Sequence, residues 1–68
     1  MVLQIGENIK QLRSEAGLTQ RALAYKLKIS AQAVSKWEIG ISYPDVTLLP
    51  QIAKLFSVSI DELFFGTT

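Results

Sequence analysis

Apolar positions along the chain recur with a helical period and are interrupted at short, regular intervals. Ile5, Ile9, Leu12 and Ala16 fall at spacings of four, three and four, one stripe of a first helix. Gly17 supplies the left-handed residue that commonly ends a helix. Thr19 is placed as the N-cap of a second helix, "QRALAYKL", with Leu23, Ala24 and Leu27 on one side. Ser30 caps a third, "AQAVSKWE", which turns Val34 and Trp37 inward. Gly40 and Pro44 break the chain in "IGISYPD".

Pro50 places the fourth helix. A proline has no N–H for an interior helical bond, but the first turn has N–H groups to spare. With Asp45 as cap, Pro50 would fall where that bond is needed; with Thr47 as cap, it falls in the first turn. The fourth helix is therefore expected from Thr47 to about Phe56, burying Leu48, Ile52, Leu55 and Phe56. In "VSIDEL", Ser59 and Glu62 form a capping box, with Val58 and Leu63 as a hydrophobic staple, and this starts a fifth helix. No strand pattern appears. The expectation is an all-α, five-helix domain over 1–68, with helices one, four and five behind helices two and three. Its expected core is Ile9, Leu12, Leu23, Leu27, Val34, Trp37, Ile52, Leu55 and Leu63.

Composition narrows the chemistry. The chain has 68 residues and no His or Cys. Disulfides, thiolate metal sites and the usual general base are thereby excluded, and no cofactor or metal is expected. Asp61 and Glu62 are adjacent but are accounted for by the capping box, so no catalytic residue is assigned and an enzyme is not expected. No signal peptide or membrane-length apolar run is visible, which fits a cytoplasmic protein.

Charge changes the picture when it is divided. The net charge is +1. Between Ala16 and Trp37 lie Arg21, Lys26, Lys28 and Lys36 with no acidic residue. The remainder holds Lys10, Arg13 and Lys54 against Glu7, Glu15, Glu38, Asp45, Asp61 and Glu62. The second and third helices are thus basic on an acidic scaffold, the distribution expected for a polyanion partner.

Two helices of about eight residues joined by so short a turn must cross steeply, as in a helix-turn-helix. The second of the pair then protrudes and can enter a DNA major groove. Its outward residues are Ala31, Gln32, Ser35 and Lys36. Gln32 can bond adenine bidentately, Lys36 can reach guanine acceptors, and Ala31 or Ser35 can rest on a thymine methyl. Trp37 sits at core spacing and is read as core rather than as a base-stacking residue. Thr19 and Ser30 are caps first, but an N-cap facing a phosphate can serve both purposes. Lys28 and Lys26 are read as a positive field over the phosphates.

At this point the chain resembles a known family. "LTQRALAYKLKISAQAVSKWEIG" followed by "YPDVTLLPQIAKLFSVSIDELF" is similar to the helix-turn-helix domains of the phage lambda repressor and Cro type, in order and spacing from about Ile5 to Gly66. The resemblance implies a transcriptional regulator, of repressor type, acting as a homodimer on a pseudo-palindromic double-stranded DNA operator. It also implies that Gln20 contacts a phosphate and braces Gln32. Ser30 and Tyr43 would contact phosphates, and Arg13 and Glu38 would form an ion pair between helices one and three. Three positions depart from the family. Lys28 stands where Gly is frequent, so the turn either carries a left-handed non-glycine residue at about 1 kcal/mol or adopts another shape. Ile39 replaces a frequent Asn, and Ala31 a frequent polar residue or Arg.

One short recognition helix reads only a few base pairs, so a second copy is expected through Ile60, Phe64 and Phe65 at the end of the fifth helix. The alternative is a protein-interaction module, an antitoxin or adaptor, that uses the same fold to hold a protein partner.

Overall fold

The computed structural model describes residues 4–66; the expectation of one domain over 1–68 extends to 1–3 and 67–68, which lie outside the described residues. Five α-helices follow in order: α1 (Ile5–Glu15), α2 (Gln20–Leu27), α3 (Ala31–Glu38), α4 (Leu49–Phe56) and α5 (Ile60–Phe65). A single 3₁₀ turn, Val46–Leu48, leads into α4.

Three of the four joints are built from one seven-residue device. Each begins with a left-handed residue: Gly17 at φ +73°, Lys28 at +59° and Ser57 at +56°. An apolar residue follows, Leu18, Ile29 or Val58, whose N–H closes the preceding helix on Arg13, Ala24 or Ala53 carbonyl oxygen, each at 3.0 Å. Next comes a hydroxyl N-cap, Thr19, Ser30 or Ser59, which accepts from the N–H three residues on. Four residues past each cap stands an apolar side chain, Leu23, Val34 or Leu63, that is wholly buried. The device satisfies the spare carbonyls of one helix and the spare N–H groups of the next within a few residues. Lys28 therefore takes the left-handed shape itself, the first of the two outcomes expected at that position. Ser59 and Glu62 complete the capping box, at 3.0 and 2.9 Å.

The core joins Ile5, Ile9, Leu23, Leu27, Val34, Trp37, Ile52 and Leu63 with Ala24, Leu49 and Ala53. α1 lies against both α3 and α5, and α2 against α3. Close approach of α1 to α3 depends on Gly6: a Cβ there would sit 1.8 Å from the Trp37 carbonyl oxygen. At the other side of α1, the Asn8 side-chain amide donates to the Leu63 carbonyl at 2.8 Å and fastens α5.

Four expectations are corrected. Thr47 does not cap α4: Leu48 holds the N-cap position with no side-chain bond, and Asp45 caps the 3₁₀ turn before it, accepting from the Thr47 N–H at 3.1 Å. The 3₁₀ turn absorbs the residues between, so Pro50 still falls at the start of α4 and no interior bond is lost. With α4 beginning at Leu49, its buried stripe is Leu49, Ile52 and Ala53; Leu55 is 37% exposed and Leu48 only half-buried. Ala16, at the end of the first stripe, is exposed as the C-cap of α1. Leu12 and Phe56 are half-buried and packed on the core.

Candidate nucleic-acid interface

α3 is held from beneath and open above. Val34 and Trp37 are 0% and 4% exposed. Gln32 and Lys36, four residues apart, are exposed on the opposite side. Ala31 and Ser35 flank them and are half-buried, with Ala31 packed partly against the core. The arrangement leaves one amide and one ammonium free to project on a helix whose own position is fixed.

That fixing centres on Glu38, whose side chain is 3% exposed. Arg13 reaches it from α1 with two donors, Nε to Oε2 at 2.7 Å and Nη2 to Oε1 at 3.1 Å. A third Arg13 nitrogen, Nη1, donates to the Leu18 carbonyl at 2.7 Å. Gln20 donates its side-chain amide to Glu38 Oε1 at 3.0 Å. One carboxylate thus ties the end of α1, the start of α2 and the end of α3. Burial pushes the Glu38 carboxyl up, but the Arg13 and Gln20 hydrogen bonds and the Arg13 and Lys10 charges outweigh it, and the net shift is downward. The Glu38 hydrogen bond raises the Arg13 guanidinium further above its ordinary value.

The bracing expected of Gln20 is therefore corrected. Its amide is engaged by Glu38, not by Gln32, because a buried carboxylate is the stronger acceptor. One Gln20 N–H remains for a further acceptor. Thr19 and Ser30 are exposed, and each hydroxyl oxygen accepts from the backbone, at 3.0 and 3.2 Å, which leaves the hydroxyl proton to donate outward. Lys28 is exposed at the corner between α2 and α3. Tyr43 is 55% exposed in the segment after α3, where it borders a cleft with Gly6 and Trp37.

The residues proposed for a seam divide. Ile60 and Phe65 are 40% and 67% exposed, whereas Phe64 is half-buried against the core. No cluster of three potential metal ligands occurs among the described residues, and no described helix is long and apolar enough to cross a membrane. Sequence reasoning missed Gly6 and Asn8, and Tyr25, which stands exposed on the outward face of α2. A glycine inside a helix was the one available signal for the first.

The helix-turn-helix family profile matches residues 9–63. The HTH-type transcriptional activator BcrR of Enterococcus faecalis is 47% identical over 64 residues, covering 94% of this chain and 31% of that protein. The HTH-type transcriptional regulator DicA of Escherichia coli K12 is 42% identical over 94% of this chain and 47% of its own length. The chain thus spans less than half the length of either relative. Among solved structures, the P22 c2 repressor in complex with a synthetic operator superposes with a TM-score of 0.84 at 30% identity, over 93% of this chain and 96% of that one. With the profile spanning α1 to α5 and the fold superposing on a repressor of that type, this chain belongs to the helix-turn-helix family, in its lambda repressor and Cro branch.

Proposed function

We propose that this chain binds double-stranded DNA in a sequence-specific manner and acts as a transcriptional regulator, with α3 in the major groove. The observation that carries the reading is the paired exposure of Gln32 and Lys36 on a helix whose other face is locked by Val34, Trp37 and Glu38. Base readout needs long polar side chains on a rigid support, since a mobile helix would forfeit the gain to ordering entropy. Gln32 and Lys36 read base edges, with Ala31 and Ser35 beside them. Thr19, Gln20, Lys28, Ser30 and Tyr43 contact phosphates and set the register. Two copies meet through Ile60 and Phe65, with Phe64 behind them, and present two α3 helices to a pseudo-palindromic site. Both signs of regulation occur among the proteins it resembles, since BcrR is an activator and P22 c2 a repressor. Repression is the reading where the operator overlaps a promoter, because occupancy alone then excludes the polymerase.

Selection of sites from random duplex DNA tests this. The expected result is a two-fold symmetric consensus. Gln32→Ala should then lose about 1–3 kcal/mol per half-site on that consensus and much less on random DNA. An unchanged ratio of consensus to random affinity would remove α3 as the reader. Binding should weaken with salt at a log–log slope of about −4 to −7 for the dimer. A slope near zero on every duplex would favour the protein-interaction module instead.

A further inference from the structure

We infer that the cleft between the start of α1 and the end of α3 binds a small organic cation, an ammonium or amidinium on an apolar frame. The inference stands apart from the DNA-binding reading, and its test needs no DNA. α1 and α3 touch at Gly6 and the Trp37 carbonyl, and the cleft lies beside that contact. Glu7 borders it from α1, and Ile39 and Tyr43 border it from the chain that leaves α3. Its volume is about 200 Å³. Sites for drug-sized ligands run to roughly 300–1,000 Å³, so the ligand that fits here is smaller.

Charge selects the sign of the ligand. Glu7 is exposed and forms no ion pair among the described residues, which leaves its carboxylate available. Glu38 also borders the cleft, but Arg13 and Gln20 already occupy its two oxygens. No cationic side chain borders the cleft among the described residues; Lys10, three residues past Glu7, is not one of the groups around it. α3 ends here, and the partial negative charge at a helix C-terminus adds to Glu7 in favouring a cation. The start of α1 carries the opposite partial charge, which Glu7 in its first turn offsets.

The walls select the rest of the molecule. Ile39 and Tyr43 are both well exposed, and they gather with Trp37 around one recess. A cation on an organic frame uses all of these groups: Glu7 and the face of the tyrosine ring hold the charge, and the frame covers the isoleucine. A bare metal ion gains nothing from apolar walls, and one free carboxylate is too few oxygen ligands to hold it. A neutral ligand leaves Glu7 unused, and an anion is repelled by it.

Trp37 is the only tryptophan in the chain, so its fluorescence reports on the cleft. The full chain is titrated at constant ionic strength with benzylammonium and with benzyl alcohol, its neutral counterpart of similar shape, and amide NMR shifts locate each probe. Benzylammonium should change the emission saturably and shift the amides of Glu7, Ile39 and Tyr43. It should bind about three- to thirtyfold more tightly than the alcohol. Glu7→Gln should weaken the cation about two- to fivefold and leave the alcohol unchanged. Tyr43→Leu should weaken the cation about two- to fivefold. Asp61→Asn removes the same charge from an exposed position on α5 outside the cleft and should change nothing. Equal binding of cation and alcohol, or an equal loss in Glu7→Gln and Asp61→Asn, would reduce the effect to apolar contact or net charge and overturn the site. Emission and amide spectra that benzylammonium leaves unchanged would overturn it as well.

Discussion

Removing Arg13 should cost more than removing both members of its ion pair. The Glu38 side chain is 3% exposed and rehydrates poorly if its partner is lost, whereas the Arg13 side chain at 14% can turn its guanidinium partly to water. Arg13→Met strands the carboxylate with only the Gln20 amide, at about 3 kcal/mol, and orphans the half-buried Leu18 carbonyl, at about 1 kcal/mol. Glu38→Gln keeps one acceptor oxygen and should cost about 1–2 kcal/mol. The double variant strands no charge and should recover about 2 kcal/mol relative to Arg13→Met. For a domain of this size that is roughly 8–16 °C in melting temperature. The pH dependence follows with a definite sign. In the unmodified protein the Glu38 carboxyl is held below its ordinary value. Its contribution is therefore full above that value and lost as the pH falls through the lowered one. In Arg13→Met burial prevails and the carboxyl moves up, so the deficit should be largest near neutrality and shrink at about pH 4. Thermal and urea unfolding followed by far-ultraviolet circular dichroism at both pH values reads all four proteins. Additive single effects, with a double variant less stable than Arg13→Met, would refute the role given to the buried carboxylate.

Trp37→Ala should destabilise by roughly 3–5 kcal/mol, enough to unfold much of so small a domain; a normal melt with lost DNA binding would instead make Trp37 a contact residue. Gly6→Ala should destabilise, reversing the gain of about 1 kcal/mol that exchange of glycine for alanine usually gives in a helix, because the new methyl meets the Trp37 carbonyl; a stabilised variant in urea unfolding would show that α1 can move away. Ser57→Gly should raise stability by up to about 1 kcal/mol by relieving a left-handed serine, measured as a higher urea midpoint at constant slope.

Much of this fold is legible because its boundaries are local. A hydroxyl cap, the left-handed residue two places before it and the apolar residue four places after it occupy seven consecutive positions, so Thr19, Ser30 and Ser59 announce their helices. The exposed pair Gln32 and Lys36 is legible for a related reason, as the complement of Val34 and Trp37 on a short helix. What was not legible depends on partners distant in the chain. Two apolar stripes overlap on α4, and only packing against α5 and the rest of the core decides that Ala53 goes in and Leu55 stays at the edge. Gln20 has two plausible partners by spacing, and the choice of Glu38 follows from where Arg13 holds that carboxylate. The Gly6 contact joins residues 6 and 37, a distance over which periodicity says nothing.

The left-handed corner at Lys28 has a consequence for how this chain responds to selection. Ser57 occupies the same backbone shape at the joint before α5, where no residue of the proposed interface stands, and a glycine there meets no opposing demand. At Lys28 the strained residue also carries one of the four cations around the proposed interface. Variants chosen for survival on heating should therefore accumulate glycine at both corners. Variants chosen for operator occupancy should accept glycine at 57 and keep a cation at 28. The two corners separate the demands of folding from those of binding within a single chain.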